Sequence, residues 1–159
     1  VTRDVARGLA LTRQAAVRSE PQAIFNLAAM NFLGQGMPQS DAEATRLFRS
    51  AADLGHPEAR NVIGWMYSQG RGITQSDTEA VRWWRLAATA GDIDAMNNLG
   101  VMFATGRGVS TNAAEALRWY RRAADGGHVA AAFQIGIVHA SGQGLAQNDG
   151  MSSRSAVTA

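Results

Sequence analysis

Glu58 and Asp94 are the residues of this sequence whose type and spacing first suggest chemistry. Paired carboxylates act as acid and base in glycoside hydrolysis, where inverting enzymes hold them roughly 6.5–9.5 Å apart. These two stand 36 positions apart. The repeat described below predicts equivalent places on neighbouring helices, with the carboxylates roughly 10 Å apart. A single such pair without a shaped pocket is weak evidence for catalysis, so we predict that the protein is not an enzyme.

Composition excludes several other reactive sites. The sequence has no cysteine, which excludes disulfides, thiolate metal sites and a cysteine nucleophile. All 15 basic residues are arginine, so the lysine of a P-loop and that of a Ser-x-x-Lys hydrolase are both missing. The glycines that flank Arg107 therefore predict the end of a helix and not a phosphate-binding loop.

The histidines His56, His128 and His139 predict no metal site. His56 and His128 are two repeats apart, on the order of 20 Å at roughly 10 Å per layer of helices. We expect these side chains to have roles in linkers or loops. No metal and no cofactor is predicted.

The overall composition is that of one globular domain. Hydrophobic residues make up 46% of the 159 residues, charged residues make up 18%, and the net charge is only +2. Nucleic-acid binders usually carry a larger basic excess, and no apolar run approaches the roughly 18 residues of a membrane span. We expect neither nucleic acid as a partner nor a membrane span. Because the chain opens with Val1, a processed chain and an excised fragment both remain open.

A 36-residue repeat organises the chain. The sequence aligns with itself four times without gaps, in blocks that begin at residues 21, 57, 93 and 129. The recurring columns include an alanine and a glycine, which are Ala23, Ala59, Ala95, Ala131 and Gly34, Gly70, Gly106, Gly142. Such a period is the signature of stacked helical hairpins. The sequence therefore predicts an all-α solenoid of helix-turn-helix repeats.

Each block predicts two helices. The first, near 94–105 in the third block, has one apolar face and ends at Gly106, because glycine readily adopts the positive φ of a helix C-terminus. The second begins at a capping residue with a glutamate three positions later, which in the first two blocks predicts a capping box. The pairs are Ser40 with Glu43, Ser76 with Glu79, and Asn112 with Glu115.

The second helices have an apolar and a charged face. We predict that the aromatic residues Trp83, Trp84, Trp119 and Tyr120 belong to the core between repeats. Arginines follow the capping-box glutamates by three residues, which favours ion pairs along the outer helix face. The charged face could instead bind an acidic partner.

We divide the single domain, residues 1–159, according to this pattern. Residues 4–20 form an N-terminal capping helix, residues 21–56, 57–92 and 93–128 form full repeats, and residues 129–159 form a partial repeat. In the last repeat Met151 replaces the glutamate and Ala156 the aromatic residue, so we expect its tail to fray.

The columns resemble the Sel1-like repeat, a relative of the tetratricopeptide repeat. The resemblance rests on "ARNVIGWMYSQGRGI" with "AVRWWRLAATAG", and on "AMNNLGVMFATGRGV" with "ALRWYRRAADGG". It implies a right-handed superhelix that acts as an adaptor and holds other proteins. It also favours a periplasmic or secreted location over a cytoplasmic one. Resemblance does not name the partner.

The exposed stripe of the first helices is the predicted binding surface, because these helices line the concave side in related proteins. Asn61 and Asn97 are predicted to lie side by side at its centre, where amides could pair with a peptide backbone. Trp65 offers a large anchor of the type found at binding hot spots. The full predicted site is Phe25, Glu58, Asn61, Trp65, Asp94, Asn97, Val101 and Phe133. Strong curvature could instead bury this stripe as ordinary helix packing.

The sequence thus predicts a non-enzymatic module that binds a peptide or protein segment in a concave groove. The alternative is a module that regulates the bacterial envelope by binding cell-wall glycans through Trp65 and the acidic edge. Self-association also remains open.

Overall fold

The structure, a computed structural model, describes the backbone of residues 2–141 and the side chains of residues 7–141. Within this part of the chain there are eight α-helices and no strand. They are α1 (Thr2–Val17), α2 (Pro21–Leu33), α3 (Asp41–Asp53), α4 (Pro57–Gln69), α5 (Asp77–Thr89), α6 (Ile93–Thr105), α7 (Ala113–Asp125) and α8 (Val129–Ala140). The predicted all-α class is confirmed. The features predicted around Met151 and Ala156 lie outside the described residues.

The helices stack in sequence order. Each helix packs on the one before and the one after it, and α6 also touches α8. The first helices of the repeats are α2, α4, α6 and α8, and the second helices are α3, α5 and α7. Since contacts connect chain neighbours, the fold is a solenoid in which each repeat is stabilised mainly by adjacent ones.

One continuous core runs along the stack, from Ile24 to Val138. It contains the predicted alanine columns and the aromatic residues of the second helices, so the prediction of core for Trp83, Trp84, Trp119 and Tyr120 is confirmed. The largest fully buried side chains are Tyr120, Ile63, Met66, Leu99 and Met102. Methionine suits such positions because its flexible side chain fills irregular gaps between helices.

In the second and third repeats, an aromatic ring of the second helix packs against a glycine of the first helix. A Cβ atom placed on Gly64 would lie 2.7 Å from Cδ1 of Trp84. A Cβ on Gly100 would overlap the ring of Tyr120 in the same way. These glycines have helical φ values, so the close contact and not backbone conformation requires them.

The second helices begin as predicted, with one difference. Ser40 and Ser76 each accept a hydrogen bond from the backbone N–H of the glutamate three residues on, and Asn112 does the same. In a full capping box the carboxylate of Glu43 would accept a hydrogen bond from the N–H of Ser40. Here that N–H donates instead to the carbonyl of Asn31 in the preceding helix. The carboxylate of Glu43 is then free to pair with Arg46.

The Gly-Arg-Gly turns end the first helices and also connect neighbouring repeats. Gly70 has φ 67° and donates to the carbonyl of Met66, which confirms the predicted helix end. Gly72, with φ 66°, lies so close to the carbonyl of Asp41 in the preceding repeat that a Cβ would overlap it. Between them Arg71 donates to both carboxylate oxygens of Asp41, at 2.8 and 3.0 Å. Arg107 and Asp77 repeat this arrangement one repeat later.

We expect Gly100→Ala to lower the free energy of unfolding by about 1–3 kcal/mol. The added methyl group overlaps Tyr120, and such overpacking outweighs the gain of up to ~1 kcal/mol in helix propensity. Urea unfolding followed by circular dichroism measures the change.

Gly136 provides the matched control. It occupies the same column one repeat later, and a Cβ there meets nothing within 4 Å. Gly136→Ala should therefore be neutral or slightly stabilising. Equal effects of the two substitutions would contradict the proposed role of the ring contact.

Candidate functional site

The first helices share a groove formed by two adjoining cavities. The larger, of about 890 Å³, is lined by residues of α2, α4, α6 and α8 together with the linkers before α6 and α8. The smaller, of about 500 Å³, is lined by residues of α2, α4 and α6 together with Phe48 of α3. Both volumes lie within the range of ligand pockets, about 300–1,000 Å³. The residues common to both are Phe25, Asn61, Val62 and Asp94.

The smaller cavity has an aromatic wall. The rings of Phe32 and Trp65 meet edge to face with centroids 6.1 Å apart, and Phe25 meets Phe48 edge to face at 5.4 Å. Trp65 keeps 38% of its surface exposed although it packs on Phe32. This end of the groove therefore offers a preformed apolar surface for a partner side chain.

Arg71 stabilises the aromatic wall from outside the cavity. Its guanidinium lies 4.3 Å from the centroid of Phe32 and 5.8 Å from that of Trp65, while it remains paired with Asp41. A planar guanidinium can stack on a ring and bind a carboxylate at the same time. The inter-repeat ion pair and the groove wall thus share one side chain.

The polar centre of the groove is Asn61 with Asn98. The Nδ2 of Asn98 lies 3.4 Å from the Oδ1 of Asn61, which is a long hydrogen bond. Trp84 donates to the backbone carbonyl of Asn61 at 3.2 Å, so the helix carrying this asparagine is fixed from behind. The remaining amide groups can donate to or accept from a bound backbone.

The sequence analysis predicted that Asn97 lies beside Asn61. In the structure, Asn98 occupies that place. Asn97 lines neither cavity, and its Oδ1 is buried without a hydrogen-bond partner among the described residues. Neighbouring residues of a helix point about 100° apart. On α6 it is Asn98 that lines the groove, whereas the Oδ1 of Asn97 lies buried.

The larger cavity is acidic. Glu58, Asp92 and Asp94 line it, and the side chain of Asp94 is 74% exposed. Asp92 caps α6 by accepting from the N–H of Ala95 at 2.7 Å. Burial raises the pKa of Asp92, and the negative charges of Asp94 and Glu58 raise it further, against the lowering effect of that hydrogen bond.

His56 and His128 cap helices at the equivalent positions of their repeats. The Nδ1 of His56 accepts from the N–H of Ala59 and that of His128 from Ala131, so both rings carry their proton on Nε2 when neutral. The Nε2 of His56 contacts Gln22 at 3.1 Å, and its ring stacks on Phe25 at 4.5 Å. The Nε2 of His128 lies 3.5 Å from Asp94.

The structure brings together five of the eight residues of the predicted site. Phe25, Glu58, Asn61, Trp65 and Asp94 line one or both cavities. The other three lie elsewhere. The Oδ1 of Asn97 is buried, and Val101 is half-buried against the core. Phe133 is 70% exposed on α8 and is not among the residues that line either cavity. Sequence reasoning missed Val62, Asn98, Asp92 and His128. The last two occupy the recurring N-cap column, which was the available signal.

The second helices carry the predicted ion pairs on their outer surface. Arg46 pairs with Glu43, Arg82 with Glu79 and Arg118 with Glu115, each three residues apart on one helix. The hydrogen bond from Arg46 lowers the pKa of Glu43. Exposed pairs of this kind contribute little to stability, so the outer surface is a solvated, self-paired one.

A stack of helical hairpins with a groove across its first helices defines a helical-repeat scaffold. The family model described as Sel1 repeat matches residues 21–56, 57–92, 93–128 and 129–152, so this chain belongs to the Sel1-repeat family. The resemblance predicted from the sequence is thereby confirmed. Sel1-repeat proteins are generally non-catalytic scaffolds for protein interaction.

Solved structures show the same fold. The chain is 36% identical to c5321, a protective antigen of uropathogenic Escherichia coli strains with an SLR fold, with a TM-score of 0.73 over 75% of this chain and 26% of that one. It is 36% identical to a Sel1 repeat protein of Oxalobacter formigenes, with a TM-score of 0.74 over 78% of this chain and 51% of that one. This chain therefore spans about a quarter and about half of their lengths.

A more distant relative supports the fold alone. Helicobacter pylori cysteine rich protein B is 18% identical, with a TM-score of 0.65 over 83% of this chain and 95% of that one. A search of curated protein sequences gave no match. Residues 2–141 include no helix long and apolar enough to cross a membrane. They also include no cluster of three or more metal-ligating side chains.

We expect the Arg71–Asp41 pair to have a coupling energy of about 1 kcal/mol in a double-mutant cycle with Arg71→Gln and Asp41→Asn. The pair is bidentate and about two-thirds buried, and it joins two repeats. The matched cycle is Arg118→Gln with Glu115→Gln, an exposed pair within one helix that should couple by only ~0.3–0.5 kcal/mol. Equal coupling energies from urea unfolding would contradict the inter-repeat role.

We expect Asp92→Asn to raise the free energy of unfolding at pH 7 by a few tenths of a kcal/mol. Asparagine retains an oxygen that caps α6 and removes a carboxylate whose ionised form is disfavoured, although solvent screens much of the effect. In the wild type, the folded state holds this proton to higher pH than the unfolded chain. Its stability contribution therefore falls as the pH rises from about 4 through the raised pKa.

Urea unfolding between pH 4 and 7 measures this difference. The part of the pH dependence that belongs to Asp92 should vanish in Asp92→Asn. Asp92→Ala is the control, because it loses the cap as well as the charge and should be about 1 kcal/mol less stable than Asp92→Asn at every pH. A variant Asp92→Asn that is less stable than the wild type at pH 7 would refute the assignment.

Proposed function

We propose that this protein is a non-enzymatic scaffold that binds an extended segment of another protein in the groove across α2, α4 and α6. The observation that carries the proposal is the juxtaposition of an exposed tryptophan, two groove-facing asparagines and an acidic rim along one continuous depression. Trp65, Asn61 and Asp94 are the central members of these three groups.

Each group has a function in peptide binding. Trp65 and Phe32 offer a rigid aromatic surface, and large aromatic residues are the usual anchors at interfaces. The amides of Asn61 and Asn98 can pair with the backbone of a segment whatever its sequence. The aromatic and the amide side chains lie on helices and not on loops. Binding therefore costs little conformational entropy of the backbone.

The catalytic alternative finds less support in the geometry. Glu58 and Asp94 lie at the rim of an open groove, and the carboxylate of Asp94 is mostly solvent-exposed. A glycosidase needs a general acid whose pKa is raised in an enclosed site next to a second carboxylate. Asp92, which has a raised pKa, is engaged as a helix cap.

We expect Asn61→Arg and Trp65→Ala to abolish binding of linear peptides selected on the wild type from a displayed library of random dodecamers. An arginine at residue 61 fills the centre of the groove, and alanine at residue 65 removes the aromatic anchor. Fluorescence polarisation of labelled peptides measures the affinity, and circular dichroism confirms that each variant is folded.

The matched control is Ala114→Arg, which adds the same charge to an exposed position of the second helix α7. This variant should bind as the wild type does. Peptides that bind all four proteins equally would contradict the groove as the binding site. Displacement of the peptides by chitooligosaccharides would favour the glycan-binding alternative.

A further inference from the structure

We infer that the segment bound in this groove carries a basic side chain next to a large apolar one. The apolar side chain enters the cavity of about 500 Å³, and the cation lies on Glu58 and Asp94. This inference rests on the proposed function and specifies the chemistry of its ligand.

The lining of the smaller cavity indicates that the ligand has a large apolar side chain. Phe25, Phe32, Phe48 and Trp65 contribute ring surface, and Ala29, Leu33 and Val62 complete the wall. Asp94 is the one charged residue among those that line it. Such a lining accepts an aromatic or long aliphatic side chain and places one carboxylate at its edge.

The basic half follows from the position of Asp94. Its carboxylate borders both cavities, so a cation that reaches it lies directly beside the apolar cavity. Glu58 is also exposed on the rim. The side chains of neighbouring residues in an extended segment can therefore contact the aromatic wall and the carboxylates at the same time.

The charges that line the groove favour a cationic ligand over an acidic one. The chain has 15 arginines, yet none of the described residues that line either cavity is an arginine. His128, 3.5 Å from Asp94, is the only basic side chain in the two linings as described. Burial raises the pKa of Asp92, and the nearby negative charges of Asp94 and Glu58 raise it further, as expected where three carboxylates line one cavity. A cationic segment complements these charges.

Three short peptides test the inference directly. They have the sequence Gly-X-Phe-X-Gly with X as lysine, glutamine or glutamate, and acetylated and amidated ends remove the terminal charges. The side-chain amide signals of Asn61 and Asn98 and the indole signal of Trp65, followed by ¹⁵N NMR, report binding inside the groove. We expect the lysine peptide to bind about three- to thirtyfold more tightly than the glutamine peptide, and the glutamate peptide to bind most weakly.

Amide substitutions of similar shape test whether Glu58 and Asp94 cause the preference for lysine. In the double variant Glu58→Gln with Asp94→Asn, the lysine peptide should bind no more tightly than the glutamine peptide. The control is Glu79→Gln with Glu115→Gln, which removes the same charge from the outer surface and should leave the preference intact. This comparison separates contact in the groove from the effect of net charge.

The outcomes distinguish this inference from the proposed function. Equal binding of the three peptides with shifts at Asn61 and Trp65 would overturn the inference and leave groove binding in place. A lysine preference that survives in the groove double variant would also overturn it. If no peptide shifts these signals at millimolar concentration, both proposals fail.

Discussion

The packing of the second and third hairpins depends on the contact between an aromatic ring and a glycine. Trp84 lies on Gly64, and Tyr120 lies on Gly100, at distances that leave no room for a methyl group. Because the ring fills the space left by the missing side chain, the two helices approach closely and bury a large apolar surface. The second contact, between a Gly-Arg-Gly turn and the preceding repeat, then stacks these hairpins in one register. Every repeat presents its first helix on the same side as a result.

This arrangement separates the residues that stabilise the stack from those that face the groove. The core columns, which are nearly identical between repeats, carry the packing energy, whereas the stripe facing the groove changes from repeat to repeat. Gln22, Glu58, Asp94 and Ala130 occupy one column and differ in charge and size. Residues that contact few neighbours can vary without disturbing the stack. Arg71 is the exception, because it joins two repeats and also covers the aromatic wall.

The helix boundaries could be predicted from the sequence, because each repeat carries local signals for them. Helix ends at Gly34, Gly70 and Gly106 and caps at Ser40 and Ser76 follow from local chemistry, so they could be placed to the residue. Which of Asn97 and Asn98 faces the groove could not be predicted in this way. It depends on how α6 packs on the preceding repeat, because Asn98 contacts Asn61 across that interface and no local signal encodes the contact. The pairing of Arg71 with Asp41, 30 residues apart, needs the same knowledge of how one repeat lies on the next.

Asp92 offers a physical argument that the groove is more than a by-product of stacking. Histidine caps the equivalent helices at positions 56 and 128, and asparagine would cap α6 without a charge. An aspartate there is half-buried beside Glu58 and Asp94, and burial together with these charges raises its pKa, so the ionised form is less favourable than in water. Residues that lower stability are expected at functional sites, where a ligand restores what the free protein lacks. A bound cation would offset the effect of Glu58 and Asp94 on Asp92, and the cationic ligand that we propose would supply such a charge.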